Sequence, residues 1–303
     1  MKQTVLILGG SGKIGSRATD AFWDAGWEVR HYDRKTGDMV KAAQGVDVIV
    51  NGLNPPAYHA WERTIPEITA QVIAAAKASG ATVIIPGNIY NYGDQPGVLH
   101  ENTPHLATTK KGRVRIEMEE SYRASGVQTI VLRAGNFIDP AGNGDIMSML
   151  VMRDIKKDRI TAAADPKTLQ AYAYVPDWAR AAVQLAEQRA ELGQFEDVPF
   201  PGHAFTTSDL HAAVSDATGR TIKITRFPWW IMTLLSPLWE LAREMREMRY
   251  LYAMPHQIGS DRFNRLLPDF EPTDLEDVML AGLPADINPD KVVRASSQTV
   301  ITN

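Results

Sequence analysis

Three glycines at fixed spacing near the amino terminus constrain this chain more than any other feature. Gly9, Gly12 and Gly15 form G-x-x-G-x-x-G directly behind the run Thr4 to Leu8 (TVLIL) and at the start of a helical stretch from about Ile14 to Ala25. A turn of that composition lets the backbone approach a ligand with no Cβ in the way. The helix that follows presents unpaired N–H groups and the positive end of its dipole. A pyrophosphate suits such a place, so Gly9, Gly12, Lys13, Ile14 and Gly15 are predicted to hold the phosphates of a dinucleotide.

Further β-branched runs follow at Val46 to Val50 (VDVIV), Thr82 to Ile85 (TVII) and Thr129 to Leu132 (TIVL). Helical stretches separate them at about Glu62 to Ser79 and Thr109 to Ala124. Strands alternating with helices imply right-handed crossovers and a parallel sheet buried on both faces. The fold class is therefore α/β, a Rossmann-like doubly wound parallel sheet with a smaller C-terminal substrate lobe. The expected division is 1–135 with about 171–190 for the dinucleotide domain, about 136–170 and 191–290 for the lobe, and a loosely held tail at 291–303. Beyond Asn136 the lobe should contain a helix after Asp177, another near Ser208 to Thr218, and a long amphipathic stretch ending in REMREMRYLY.

Composition excludes several functions. The 32 Lys and Arg against 36 Asp and Glu leave a net charge of -4, so no basic field draws the chain onto nucleic acid. With no cysteine there is no disulfide, thiolate nucleophile or cysteine-ligated zinc. The seven histidines show no H-x-H or H-E-x-x-H spacing, and no metal is expected. The apolar start is too short for a signal peptide, and Phe227 to Ala242 is too short and too proline-broken to span a bilayer. A cytoplasmic protein with no transmembrane segment is expected.

Asp33, 18 residues beyond Gly15, stands where a carboxylate accepts hydrogen bonds from ribose hydroxyls, which favours NAD. Arg34 and Lys35 follow at once and suit a 2′-phosphate, which keeps NADP open. Together with the glycines and Asp33, the NGLNPP loop at Asn51 to Pro56, IPGNIYNYG at Ile85 to Gly93, LRAGNFIDP at Leu132 to Pro140 and YAYVPDWARA at Tyr172 to Ala181 resemble the extended short-chain dehydrogenase/reductase superfamily. Nucleotide-sugar epimerases and dehydratases belong to that superfamily. The resemblance implies hydride chemistry on a small molecule, cofactor contacts at Asn54 and Gly87, and a homodimer through the helices near Glu62 to Ser79 and Thr109 to Ala124.

The catalytic motifs depart from the superfamily. Asn88 occupies the position of its Ser or Thr, and no tyrosine has a lysine four residues on. Aligning TTKKGRVRIEMEE places Lys111 at the tyrosine position and Arg115 at the lysine position. Lys111 is thus a candidate acid/base and nicotinamide contact, with Arg115 one turn away, Asn88 as an orienting group, and Tyr90 as a cleft hydroxyl. Tyr92 is largely structural in the superfamily, and Thr108 and Thr109 are further hydroxyls near the nicotinamide. A second reading makes Lys111 an exposed residue beside ordinary helix pairs, Arg113 with Glu117 and Arg115 with Glu119.

The lobe holds Trp229, Trp230, Met232, Leu234, Leu235, Leu238 and Trp239 within eleven residues. Burial between the lobes or in a subunit contact is the first expectation. An aromatic-lined pocket for an apolar or aromatic substrate is the second. A membrane-surface helix flanked by Arg243, Arg246 and Arg249 is the third, weakened by Glu240, Glu244 and Glu247. Arg220, Lys223, Arg226, Arg262 and Arg265 are candidates for a substrate diphosphate. Three functions remain open: an atypical NAD(P)-dependent reductase acting on a carbonyl or hydroxyl, a nucleotide-sugar epimerase with altered acid/base residues, and a non-catalytic cofactor-binding sensor.

Overall fold

A computed structural model describes residues 2–35, 37–284, 286 and 287 of the chain, so the tail expected from residue 291 lies outside the described residues. In chain order the first half contains β1 (Thr4–Leu8), α1 (Lys13–Asp24), β2 (Glu28–Tyr32), α2 (Met39–Ala42), β3 (Val48–Asn51), α3 (Trp61–Ser79), β4 (Thr82–Gly87), β5 (Gly97–Leu99), α4 (Lys110–Ser125) and β6 (Thr129–Arg133). The second half contains β7 (Asn136–Ile138), β8 (Arg159–Ala162), β9 (Gln170–Tyr174), α5 (Val175–Glu187), β10 (Phe195–Pro199), β11 (His203–Phe205), α6 (Thr207–Thr218), β12 (Lys223–Arg226), α7 (Trp229–Leu235), α8 (Glu240–Glu247), α9 (Arg249–Ala253), β13 (His256–Ile258), α10 (Asp261–Leu266) and α11 (Leu275–Leu280).

Six strands form one parallel sheet in the order β10-β6-β4-β3-β1-β2. The sheet is buried on both faces, which is why β1 is apolar at every position rather than at alternate ones. Val5 and Ile7 pack with Phe22 of α1 and Trp178 of α5, while Leu6 and Leu8 pack with Ile65 and Val72 of α3 and Met118 of α4. Each such side chain contributes roughly 1.5–3 kcal/mol by leaving water. Trp178 is fully buried and donates its indole N–H to Leu132 O at 3.0 Å, so truncating it to alanine would cost roughly 3–5 kcal/mol.

Strand β10 brings residues 195–199, assigned to the lobe from sequence, into the central sheet beside β6. Its polar residues hid it: Glu196 pairs with Arg262, and Asp197 with Arg133. The lobe has its own core around Ile138, Met147, Phe205 and Leu210, under the small sheets β11-β9-β7 and β12-β8. Helix α6 opens with a capping box between Thr206 and Asp209.

The long amphipathic stretch is instead three short helices. It breaks after Leu235, where Ser236 leads into Pro237, and again at Met248. The expected burial of this segment between the lobes is also corrected. Trp229 is buried, but Trp230, Leu234, Leu238 and Trp239 face water, because no element of the described chain covers them.

Candidate functional site

The glycine turn lies at the switch point of the sheet, where β1 is flanked by β2 on one side and β3 on the other and loops diverge at the carboxyl ends. Gly9 adopts φ +76°, and its carbonyl accepts the Gly12 N–H at 2.9 Å. A Cβ on Gly15 would stand 2.2 Å from Gly9 O, and one on Gly9 would stand 3.1 Å from the carbonyl of Gly52 in the loop after β3. Glycine is thus required for the turn to fold onto the helix. Gly12 caps α1 with no side-chain hydrogen bond, and no acidic residue occupies the first turn. The N–H groups of Lys13 and Ile14 are therefore presented as an anion site. Lys13 reaches sideways and donates to Gly144 O at 2.8 Å, with burial pushing its ammonium pKa down.

Asp33 lies exposed just beyond β2, where its Oδ1 accepts from Lys35 N at 2.8 Å, and Arg34 is exposed beside it. His31 was missed by sequence reasoning: a Cβ on Gly10 would meet its ring at 2.4 Å. Gly87, at the end of β4, is glycine for packing, since a Cβ would stand 2.6 Å from Val131 Cγ1.

Beyond the glycine turn, the loop Asn51 to Ala60 brings beside Tyr90 a tyrosine that sequence reasoning passed over. Tyr58 sits at φ +61°, rare for an aromatic residue and costing about 1–3 kcal/mol. Its hydroxyl lies 3.2 Å from the hydroxyl of Tyr90. The Tyr58 phenol is held well above its ordinary pKa, first by Tyr90, then by burial and by Tyr252. The phenol therefore stays protonated at physiological pH. Asn88 is turned to its own loop, where its Oδ1 accepts Tyr90 N at 3.0 Å. The only sequence signal for Tyr58 was its place two residues after Pro56.

Lys111 and Arg115 behave differently from each other. Lys111 is 2% exposed, and its ammonium donates to Glu244 and, at 2.9 Å, to Glu247 of α8; its backbone N–H reaches Glu247 at 3.0 Å. The alternative of an exposed Lys111 is thereby corrected: partners more than a hundred residues away draw it inward. Its Nζ also lies 5.0 Å from the Tyr58 ring centroid. The helix pairs read for Arg113 and Arg115 do not form. Arg113 donates to Thr108 O, and Glu119 turns to Arg133. Arg115 forms no ion pair among the described residues; it donates to Asn54 Oδ1 at 3.3 Å, lies 4.9 Å over Trp61, and leaves Nε buried with no hydrogen bond. Burial lowers its pKa, and its charge in turn favours the Tyr58 phenolate, against the stronger terms above. Thr109 caps α4, accepting Gly112 N, which accounts for its hydroxyl.

Beneath this cleft Arg133 is fully buried at the end of β6 and makes forked hydrogen bonds to Glu119 and Asp197, with Asn88 O at 2.6 Å and the Tyr92 ring below. His105, Glu119 and Asp197 cluster closely enough to suggest a metal, but the guanidinium already occupies both carboxylates. Tyr92 is structural, buried with its hydroxyl donated to His100 O at 3.1 Å.

In the lobe, a cavity of about 450 Å³ is lined by Arg226, Phe227, Trp229, Trp230 and Arg249 among others. Of the other cations read for a diphosphate, Arg220 pairs with Asp158, Arg262 with Glu196 and Arg265 with Glu101. A smaller cavity beside it includes Asn136, Gln170 and Tyr252 in its wall.

A glycine turn at the switch point of a six-stranded parallel sheet, with a lobe over the carboxyl ends, defines a Rossmann-like nucleotide-binding fold. The chain belongs to the NAD dependent epimerase/dehydratase family, whose profile matches residues 5–198. No curated protein matches the chain. Among solved structures it is similar to a UDP-glucuronic acid 4-epimerase from Bacillus cereus in complex with UDP-glucuronic acid and NAD. That match has TM-score 0.72 and 14% identity, and covers 97% of this chain and 100% of that one. The Bordetella bronchiseptica enzyme WbmH in complex with NAD+ matches with TM-score 0.69 and 16% identity over 93% of this chain and 97% of that one. A nucleoside-diphosphate-sugar epimerase from Staphylococcus aureus matches with TM-score 0.64 and 19% identity over 91% and 99%. At these identities the likeness concerns the fold.

Proposed function

We propose that the chain binds NAD and uses it for hydride transfer at a carbonyl or hydroxyl carbon of a small molecule, with Tyr90 and Tyr58 as the proton-handling pair. NAD bound along the glycine turn, with Asp33 on its adenosine ribose, would supply the hydride donor or acceptor. The observation that carries the reading is the pair of hydroxyls 3.2 Å apart, near the Arg115 guanidinium, which forms no ion pair within 4 Å among the described residues. The raised pKa keeps the Tyr58 phenol protonated, and with NAD bound the hydrogen-bonded pair of Tyr58 and Tyr90 would supply the proton that a carbonyl oxygen gains on reduction. Arg115 takes the electrostatic part that lysine plays in the superfamily. Lys111 is the less suited proton carrier, because Glu244 and Glu247 already accept from its ammonium.

Nucleotide sugars are the first substrates to try, since the Bacillus cereus protein is described with UDP-glucuronic acid. Apolar and aromatic carbonyl compounds come second, on the strength of the Trp229 cavity. The same reading includes a homodimer through α3 and α4, and a monomer at all micromolar concentrations in sedimentation would remove that part. Calorimetric titration with NAD, NADH, NADP and NADPH tests the cofactor, and NADH oxidation with both substrate panels tests the reaction. Tyr90→Phe should bind NAD normally and lose roughly a hundredfold or more in turnover. Full turnover in that variant would sink the assignment, and binding of NADP alone would overturn the role of Asp33.

A further inference from the structure

The hairpin formed by α7 and α8 is the least explained surface of the molecule. Trp230 is 69% exposed, Leu234 70% and Leu238 94%, with Leu235 and Trp239 also in water. So many large apolar side chains within ten consecutive residues mark a surface meant to be covered. The three acidic residues of α8 each have a partner on the neighbouring domain. Glu240 meets His59 at 2.9 Å, and Glu244 and Glu247 hold Lys111. The outward side is left cationic: Arg243, Arg246 and Arg249 are exposed, with Arg226 at the root of the hairpin. Arg246 donates to Ser236 Oγ at the turn, Arg249 lies over Trp229, and Arg243, 54% exposed at the side chain, lies 3.8 Å from Glu244 and near Glu240.

We propose that this hairpin docks on a membrane surface with anionic headgroups. Trp230, Leu234, Leu238 and Trp239 enter the boundary between headgroups and acyl chains, and Arg243, Arg246 and Arg249 meet lipid phosphates. An amphipathic element too short to span, with tryptophans beside an apolar tip and arginines around it, has the build of an interfacial anchor. A second copy of the chain fits the patch less well. A two-fold contact sets each patch on itself and brings the arginines of both copies together while the glutamates of α8 are already paired with His59 and Lys111.

The test is sedimentation of the full chain with phosphatidylcholine vesicles, with and without phosphatidylglycerol, while following tryptophan emission. Binding to the phosphatidylglycerol vesicles, a blue shift, and weakening by salt are expected. Arg243→Gln should weaken binding by roughly fivefold. Leu234→Glu with Leu238→Glu should weaken it by more than about tenfold without changing thermal unfolding, since both side chains are exposed. Absence of binding to either vesicle, or equal binding by the double variant, overturns the proposal. So does a dimer, seen by analytical ultracentrifugation, that the double variant dissolves; that result would assign the hairpin to self-association.

Discussion

Replacing Lys111 by methionine separates an anchoring role from a chemical one. Lys111 is 2% exposed at the side chain, and its two partners retain 20% and 19% of theirs. Removing one member of a buried ion pair typically costs about 3–5 kcal/mol. Methionine keeps most of the aliphatic stem, and the two glutamates can recover some hydration, so about 2–3 kcal/mol is expected here. For a chain of this size that lowers the midpoint of thermal unfolding by about 3–5 °C, read by calorimetry at neutral pH. Adding Glu244→Gln and Glu247→Gln to Lys111→Met should recover most of the loss, because no uncompensated charge remains. NAD affinity should be unchanged in all of these variants. A midpoint for Lys111→Met within about 1 °C of the parent chain, or a triple variant no better than the single one, would refute the anchoring argument.

Gly15→Ala should lower stability by about 3 kcal/mol or more and abolish NAD binding, since its Cβ would meet backbone at 2.2 Å. Gly10→Ala should stay within about 1 kcal/mol of the parent chain, because the obstacle is the movable ring of exposed His31; equal losses in denaturant unfolding would contradict this. Stability should also fall in mild acid. Burial holds the pKa of His256 and His105 below the ordinary 6.5, with Arg133 adding to the effect at His105. The unfolded chain therefore takes up more protons as pH drops through 6.5, and stability present above that pH is lost below it. His256→Gln should make the acid slope of the unfolding midpoint shallower, and an unchanged slope would count against the buried neutral imidazole.

The parts of the fold legible in sequence were those where local pattern and tertiary environment agree. TVLIL reads as a strand because a parallel sheet covered on both faces wants an unbroken apolar run, and the glycines read as a phosphate turn because only glycine closes it. FEDVP at Phe195 to Pro199 was illegible for the opposite reason. Its Glu196 and Asp197 look like a solvated loop until Arg262 and Arg133 arrive from elsewhere in the chain. The exposed alternative for Lys111 fails by the same logic: on α4 alone it has no acidic partner at helical spacing, and Glu244 and Glu247 come from the far lobe.

The hairpin inverts the usual inference. Trp230, Leu234 and Leu238 look like core residues by composition, yet composition reports only that a surface avoids water, not what covers it. The two departures are connected through α8. That helix gives Glu244 and Glu247 to Lys111 and Glu240 to His59 beside Tyr58, while its Arg243 and Arg246 stay exposed next to them. On the alignment that sets Lys111 at the superfamily's tyrosine position, this chain has a lysine held by Glu244 and Glu247 of the lobe, while the hydroxyls of Tyr58 and Tyr90, proposed above for proton transfer, lie 3.2 Å apart on other elements. If the proposed pair of Tyr58 and Tyr90 carries the proton, the start of α4 is left available as the lobe's attachment point, and one rearrangement then covers both the altered motif at Lys111 and the positive φ at Tyr58.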